Sequence, residues 1–132
     1  GKPDSLRARG AVVVSGGVDD LGANLIYKDG PIVDAESSWA RGGWQCGMAA
    51  VFEKATVRTD GGDVIIYEAD KPLKTLNPKN DNMYFNEIAY FAKCVKTNTR
   101  PEVASIESTR ETIRVLLLET KSALSNGKLI KF

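Results

Sequence analysis

The sequence predicts an α+β fold: a mostly antiparallel, open-faced sheet with two helices packed on one face. Two observations carry this. Residues 5–76 run in short segments with a two-residue apolar period and turn chemistry between them, and residues 81–124 switch to the three-to-four-residue period of amphipathic helices. At 132 residues the chain suits one domain, so residues 1–132 are expected to form a single unit.

The first strand is expected over "SLRARGAVVV", residues 5–14, where Leu6, Ala8, Val12 and Val14 share a face. "GGVDDLG" is turn chemistry. "ANLIYK" then places Ala23, Leu25 and Tyr27 together before the Asp29-Gly30-Pro31 turn, which predicts a hairpin. In "IVDAESSW", Val33, Ala35, Ser37 and Trp39 take one side and Ile32, Asp34, Glu36 and Ser38 the other, a polar face. After Gly42-Gly43, "WQCGMAAVFE" sets Trp44, Cys46, Met48, Ala50 and Phe52 against Gln45, Gly47, Ala49 and Val51. The small residues of that second side would admit another backbone closely.

Asp60-Gly61-Gly62-Asp63 predicts a second hairpin within residues 55–70. Pro72 and Pro78 fit an edge segment and a loop, because neither can donate a ladder hydrogen bond. A helix is expected from about Asp81 to Thr97, its stripe formed by Phe85, Ile88, Ala92 and Val95 and widened by Met83 and Phe91. Ser105 caps a second helix with Glu107 in its first turn; Ile106, Ile113, Leu117 and Leu124, with Leu116 and Ala123 beside them, form its expected buried stripe. Asn126-Gly127 stops that helix, and "KLIKF" makes a final strand or strap.

The composition excludes several functions. A net charge of +1 offers no field for nucleic acid, and the longest apolar runs fall far short of the roughly 20 residues of a membrane span. No signal peptide is read at the start. Without histidine there is no His metal site, Ser-His-Asp triad or His general base. Cys46 and Cys94 lack the spacing of a disulfide scaffold, so both are expected as buried free thiols and the chain as cytoplasmic. No Gly-rich phosphate loop opens either helix, which predicts that the chain binds neither NAD nor NADP.

Trp39, Arg41, Trp44 and Gln45 surround a glycine-containing turn; they suit ligand stacking or a protein interface, and equally tryptophans capping a sheet end. Tyr84 and Glu87 can face a pocket, the phenol donating to a ligand hydroxyl; the other reading makes Tyr84 a core edge and Glu87 a favourable first-turn charge. Asp34 and Glu36 read as solvated strand charges, as do Arg110 and Arg114 on their helix.

The C-terminal residues from Tyr84 onward, "YFNEIAYFAKCVKTNTRPEVASIESTRETIRVLLLETKSALSNGKLIKF", resemble the ending of the Gfo/Idh/MocA oxidoreductases, named for glucose-fructose oxidoreductase and inositol dehydrogenase. That ending reads Y-x-x-E-x-x-x-F, a Pro-containing turn, a helix ending in serine, and Gly-Lys or Gly-Arg before a last strand. Tyr84, Glu87, Phe91, Pro101, Ser122, Gly127 and Lys128 hold these places. "ANLIYKDGPIVDAESSWA" is similar to the family's strand pair, which ends in Ser-Trp, whereas Ala55 departs from a usual glycine.

The resemblance implies a two-domain parent whose N-terminal Rossmann domain binds NAD or NADP and supplies an E-K-P lysine and an Asp/His pair, none of which has a counterpart here. Gly1 is then read as a cut between domains. The chain becomes the substrate-side C-terminal domain, inactive alone, with Tyr84 reaching toward a sugar, polyol or related hydroxy compound. The resemblance also implies a homodimer or larger assembly, since related enzymes commonly associate sheet to sheet. Gly47, Ala49 and Val51 are expected to mark the helix-free face. A non-catalytic oligomerisation module is the alternative.

Overall fold

A computed structural model describes residues 2–60, 62–78 and 82–132. It is an α+β fold in the order β1 (Ser5–Ala11), β2 (Asp20–Ile26), β3 (Ile32–Ser38), β4 (Met48–Val51), β5 (Ala55–Thr59), β6 (Val64–Glu68), β7 (Lys74–Leu76), α1 (Met83–Thr97), α2 (Ile106–Leu124) and β8 (Ile130–Lys131). Every strand pairing is antiparallel, but the strands form two four-stranded sheets, β3-β2-β1-β8 and β4-β5-β6-β7, where one was expected. The chain divides into two compact units, Gly1–Gly42 with Arg100–Phe132, and Gly43–Thr99.

In the first unit, β1 is central to the core. Leu6 pairs with Leu25 and Ile130, and Ala8 with Ala23, so one sheet face is apolar; Leu6, Ala8 and Ala23 are buried. α2 packs on β1. Gly10 permits close packing here, because a Cβ would stand 2.5 Å from Val18 Cγ1 and 2.6 Å from the Asp20 carbonyl. The expected β1 through Val14 is corrected to an end at Ala11. The next N–H groups, of Val13, Val14 and Ser15, donate to the Asp19 carboxylate instead of a ladder, and Val12, Val13 and Val14 are exposed.

Ser105 caps α2 as expected, its Oγ accepting from Ser108 N at 3.2 Å. The buried stripe of α2 is corrected. Glu119 and Ser122 are buried, with Val115, Leu118 and Ala123 partly covered, while Ile113, Leu117 and Leu124 are exposed. Small side chains and one hydroxyl decide which face meets the sheet: Ala123 Cβ comes within 3.6 Å of where a Gly10 Cβ would be, and Ser122 bonds β1 directly.

The helix stops through Asn126 and Gly127, both at positive φ, with Gly127 N donating to the Ser122 carbonyl at 2.9 Å.

In the second unit, β5 and β6 form the expected hairpin, whose Gly61 lies outside the described residues. β7 is an edge strand between Pro72 and Pro78. Asp81, the expected helix start, also lies outside the described residues. Asn82 caps α1 by accepting from Phe85 N at 3.1 Å.

The expectation that this helix grips a sheet is corrected: Phe85, Ile88, Phe91 and Val95 are exposed, and Cys94 is the buried residue of α1. By register Met48, Ala50, Val57, Val64, Ile66 and Leu76 share one face of the second sheet, and Ile65 and Tyr67 lie on the other. Both thiols are free; Cys94 is buried as expected, while Cys46 is exposed in the segment before β4. Among the described residues no helix is long and apolar enough to cross a membrane.

Candidate functional site

The expected ligand-facing residues stand in the open. Trp39 follows β3, anchored by its N–H to the Asp19 carbonyl at 2.7 Å, with 86% of its surface exposed. Arg41 returns along the strand and donates to Glu36 Oε2 at 2.8 Å. Both belong to the first unit. Trp44, 89% exposed, and Tyr84, 67% exposed in the first turn of α1, belong to the second. The reading of the two tryptophans as sheet-end core is therefore overturned, as is that of Tyr84 as a core edge. Each side chain offers a flat apolar face or a polar tip to whatever meets it.

The second sheet's small-residue side is less bare than its sequence implies. Ala49 pairs with Arg58, and Val51 with Thr56, which in turn pairs with Tyr67, so an arginine and a tyrosine share that face. Gly47 precedes β4, and a Cβ on it would stand 2.8 Å from the Thr59 carbonyl.

The most organised polar surface lies on the helix-free face of the first sheet. Two cross-strand rows occupy it, Arg7–Asn24–Asp34 and Arg9–Gly22–Glu36. They line an open trough of about 470 Å³ together with Asn126 and Gly127. Asn24 Nδ2 donates to Asp34 Oδ1 at 2.9 Å, and an Arg9 guanidinium nitrogen donates to Asn126 Oδ1 at 2.9 Å.

Arg7 makes no side-chain hydrogen bond or ion pair among the described residues. Asp34 and Glu36 are exposed strand charges, as expected. Arg7 and Arg9 were not singled out from the sequence, although their alternation with Leu6 and Ala8 in "SLRARG" places them together on the face opposite the core.

At the edge of this face, Ser122 joins three segments. Its Oγ accepts from Ala8 N at 2.9 Å and donates to the Lys128 carbonyl at 2.7 Å. β8 pairs with β1 only at Ser5 and Leu6, so the hydroxyl satisfies the next inward-facing amide of β1 beyond the end of that ladder.

Asp19 organises the opposite end. Its carboxyl is held far below the ordinary carboxylate range, first by the Ser15 side chain, then by the N–H groups of Val14, Val13 and Ser15. A folded-state pKa below the unfolded value near ~3.9 contributes stability that is complete above the unfolded pKa and lost as pH falls through the folded one. Asp19→Asn should therefore be less stable than the parent at pH 7, with the gap closing as unfolding is measured at successively lower pH. An unchanged gap down to strongly acid pH would contradict that role.

Other charges are structural. Lys2, hydrogen-bonded to Glu111, and the nearby Arg110 and Arg114 hold the Glu111 carboxyl below its usual value despite desolvation. Arg114 is exposed as expected, and it also lies over the Phe132 ring, 5.4 Å from its centroid. Glu107 is lowered by its own N–H and by Arg100, and Glu119 is raised by burial. Among the described residues no group of three or more Cys, Asp or Glu could hold a metal ion. At each helix N-terminus the cap takes one amide, Phe85 N on Asn82 and Ser108 N on Ser105. No protein-family model matches the chain, and no curated protein matches it.

Proposed function

We propose that this chain is the substrate-side domain of a Gfo/Idh/MocA-like, NAD(P)-dependent oxidoreductase acting on a sugar, polyol or related hydroxy compound. In this reading, cofactor binding and proton transfer belong to a Rossmann domain of the parent. A nicotinamide cofactor bound by the parent would supply hydride exchange with a carbinol carbon; this chain's part is to hold and orient the substrate. In the second unit the Tyr84 phenol donates to a substrate hydroxyl and Trp44 offers an aromatic face; in the first, Trp39 offers an aromatic face and Arg41 a donor for substrate contact. A cytoplasmic location and sheet-to-sheet self-association belong to the same reading.

What carries it is the ordered series Tyr84, Glu87, Phe91, Pro101, Ser122, Gly127, Lys128. In support, three of these serve one junction: Ser122 bonds Ala8 and the Lys128 carbonyl, and Gly127 closes the helix onto the Ser122 carbonyl.

The test is Tyr84→Phe and Trp39→Ala in the full-length polypeptide. Loss of one positioning contact should lower turnover about tenfold or more, with assembly unchanged by light scattering. Loss of assembly with turnover retained favours a pure oligomerisation module and overturns the substrate role.

A further inference from the structure

The helix-free face of the first sheet carries its charge in two stripes, Arg7 and Arg9 along β1 and Asp34 and Glu36 along β3, all exposed. Each arginine shares a cross-strand row with a carboxylate, yet among the described residues no ion pair crosses from one stripe to the other. Three of the four side chains are held by other partners. Arg9 lays its stem against Gly127, where a Cβ would stand 3.3 Å from Arg9 Cγ, and its guanidinium donates to Asn126. Glu36 Oε2 accepts from Arg41 at 2.8 Å, and Asp34 Oδ1 accepts from Asn24 at 2.9 Å. Between the stripes, the row Arg9–Gly22–Glu36 has no central side chain, and nothing lies within 4 Å of the position a Gly22 Cβ would take. That slot is part of the trough of about 470 Å³, a volume in the range of small-molecule sites, about 300–1,000 Å³.

We infer that this trough binds a small amino-acid zwitterion over Gly22, its carboxylate on Arg7 and Arg9 and its ammonium on Glu36 and Asp34. Size and charge both select such a ligand. The stripes are two strand spacings apart, about 10 Å. Hydrogen bonds of about 2.9 Å at either end take up more than half of that, which leaves the ligand's two charges only a few bonds apart. Two arginines face two carboxylates, so a bare anion meets the acidic stripe and a bare cation the basic one, whereas a zwitterion is attracted by both.

Donors and acceptors remain for it. Arg7 makes no side-chain hydrogen bond or ion pair among the described residues, Arg9 has further N–H groups beyond the one on Asn126, and each carboxylate accepts several bonds. Because Arg9, Asp34 and Glu36 are already held, binding immobilises fewer loose side chains than an unsupported surface would require. All the residues that line the trough belong to the first unit, and the inference goes beyond the oxidoreductase reading without depending on it.

Isothermal titration calorimetry of the 132-residue chain at low salt tests this, with glycine, β-alanine and γ-aminobutyrate as probes and acetate and methylammonium as singly charged controls. At least one zwitterion should bind saturably at one site per chain, about tenfold or more tighter than either control. Arg7→Gln and Glu36→Gln should each weaken that binding about tenfold or more, since each removes a hydrogen bond to a charged group. Gly22→Val fills the slot and should abolish binding, with circular dichroism confirming that each variant folds. No saturable binding of any zwitterion, controls bound as tightly as the zwitterions, either glutamine variant binding like the parent, or a folded Gly22→Val that still binds would overturn the site. The readout needs neither nicotinamide nor turnover, so failure of this site and failure of the oxidoreductase reading are distinguishable.

Discussion

Leu6→Ala is expected to lower the unfolding free energy by about 2–5 kcal/mol, measured by urea denaturation. Leu6 is fully buried, its strand register setting it beside Leu25 of β2 and Ile130 of β8. Alanine removes the side chain's transfer energy and leaves a cavity that backbone ladders on both sides keep from collapsing. Against a typical domain stability of about 5–15 kcal/mol, this is enough to broaden or abolish a cooperative transition. Leu6→Met, which nearly conserves volume, should cost less than about 1.5 kcal/mol. Equal effects of the two substitutions would mean that Leu6 is not packed as described.

Ser122→Ala is expected to cost about 1–3 kcal/mol, a large effect for the loss of one oxygen. The hydroxyl is fully buried and serves two backbone groups, the Ala8 N–H and the Lys128 carbonyl. Alanine fills nearly the same space but leaves both groups dry and unpaired. Hydrogen exchange gives a local readout. The Ala8 amide should exchange faster in the variant, while amides paired between β2 and β3 keep their protection. An Ala8 amide as protected as in the parent would show that another group satisfies it.

Much of the fold is legible because strand and helix periods are local. The hairpin through Asp29-Gly30, the edge strand between two prolines, the Ser105 cap and the Asn126-Gly127 stop all follow from residues within a few positions of one another. What escaped depends on partners distant in sequence or on chemistry other than hydrophobicity.

"AVVV" has strand propensity, yet a single carboxylate at Asp19 diverts its amides into a loop. α2 has an evident leucine-rich stripe, yet the face on β1 is chosen by a serine hydroxyl and by the small size of Ala8, Gly10 and Ala123. Division of the strands into two sheets has no counterpart in periodicity, which fixes faces but not neighbours. The charge stripes were within reach, since Arg7 and Arg9 alternate with core residues and Asp34 and Glu36 share a face. Only the pairing of β1 and β3 through β2 shows that they oppose one another.

The most direct measurement is nicotinamide-dependent turnover by the proposed two-domain parent, assayed with NAD and NADP against sugars, polyols and related hydroxy compounds, with the isolated chain in parallel. The expected result is formation or consumption of reduced nicotinamide with at least one member of the set by the full-length protein and none by the chain alone. A folded full-length protein that neither binds a nicotinamide cofactor nor turns over any of these compounds would contradict the assignment.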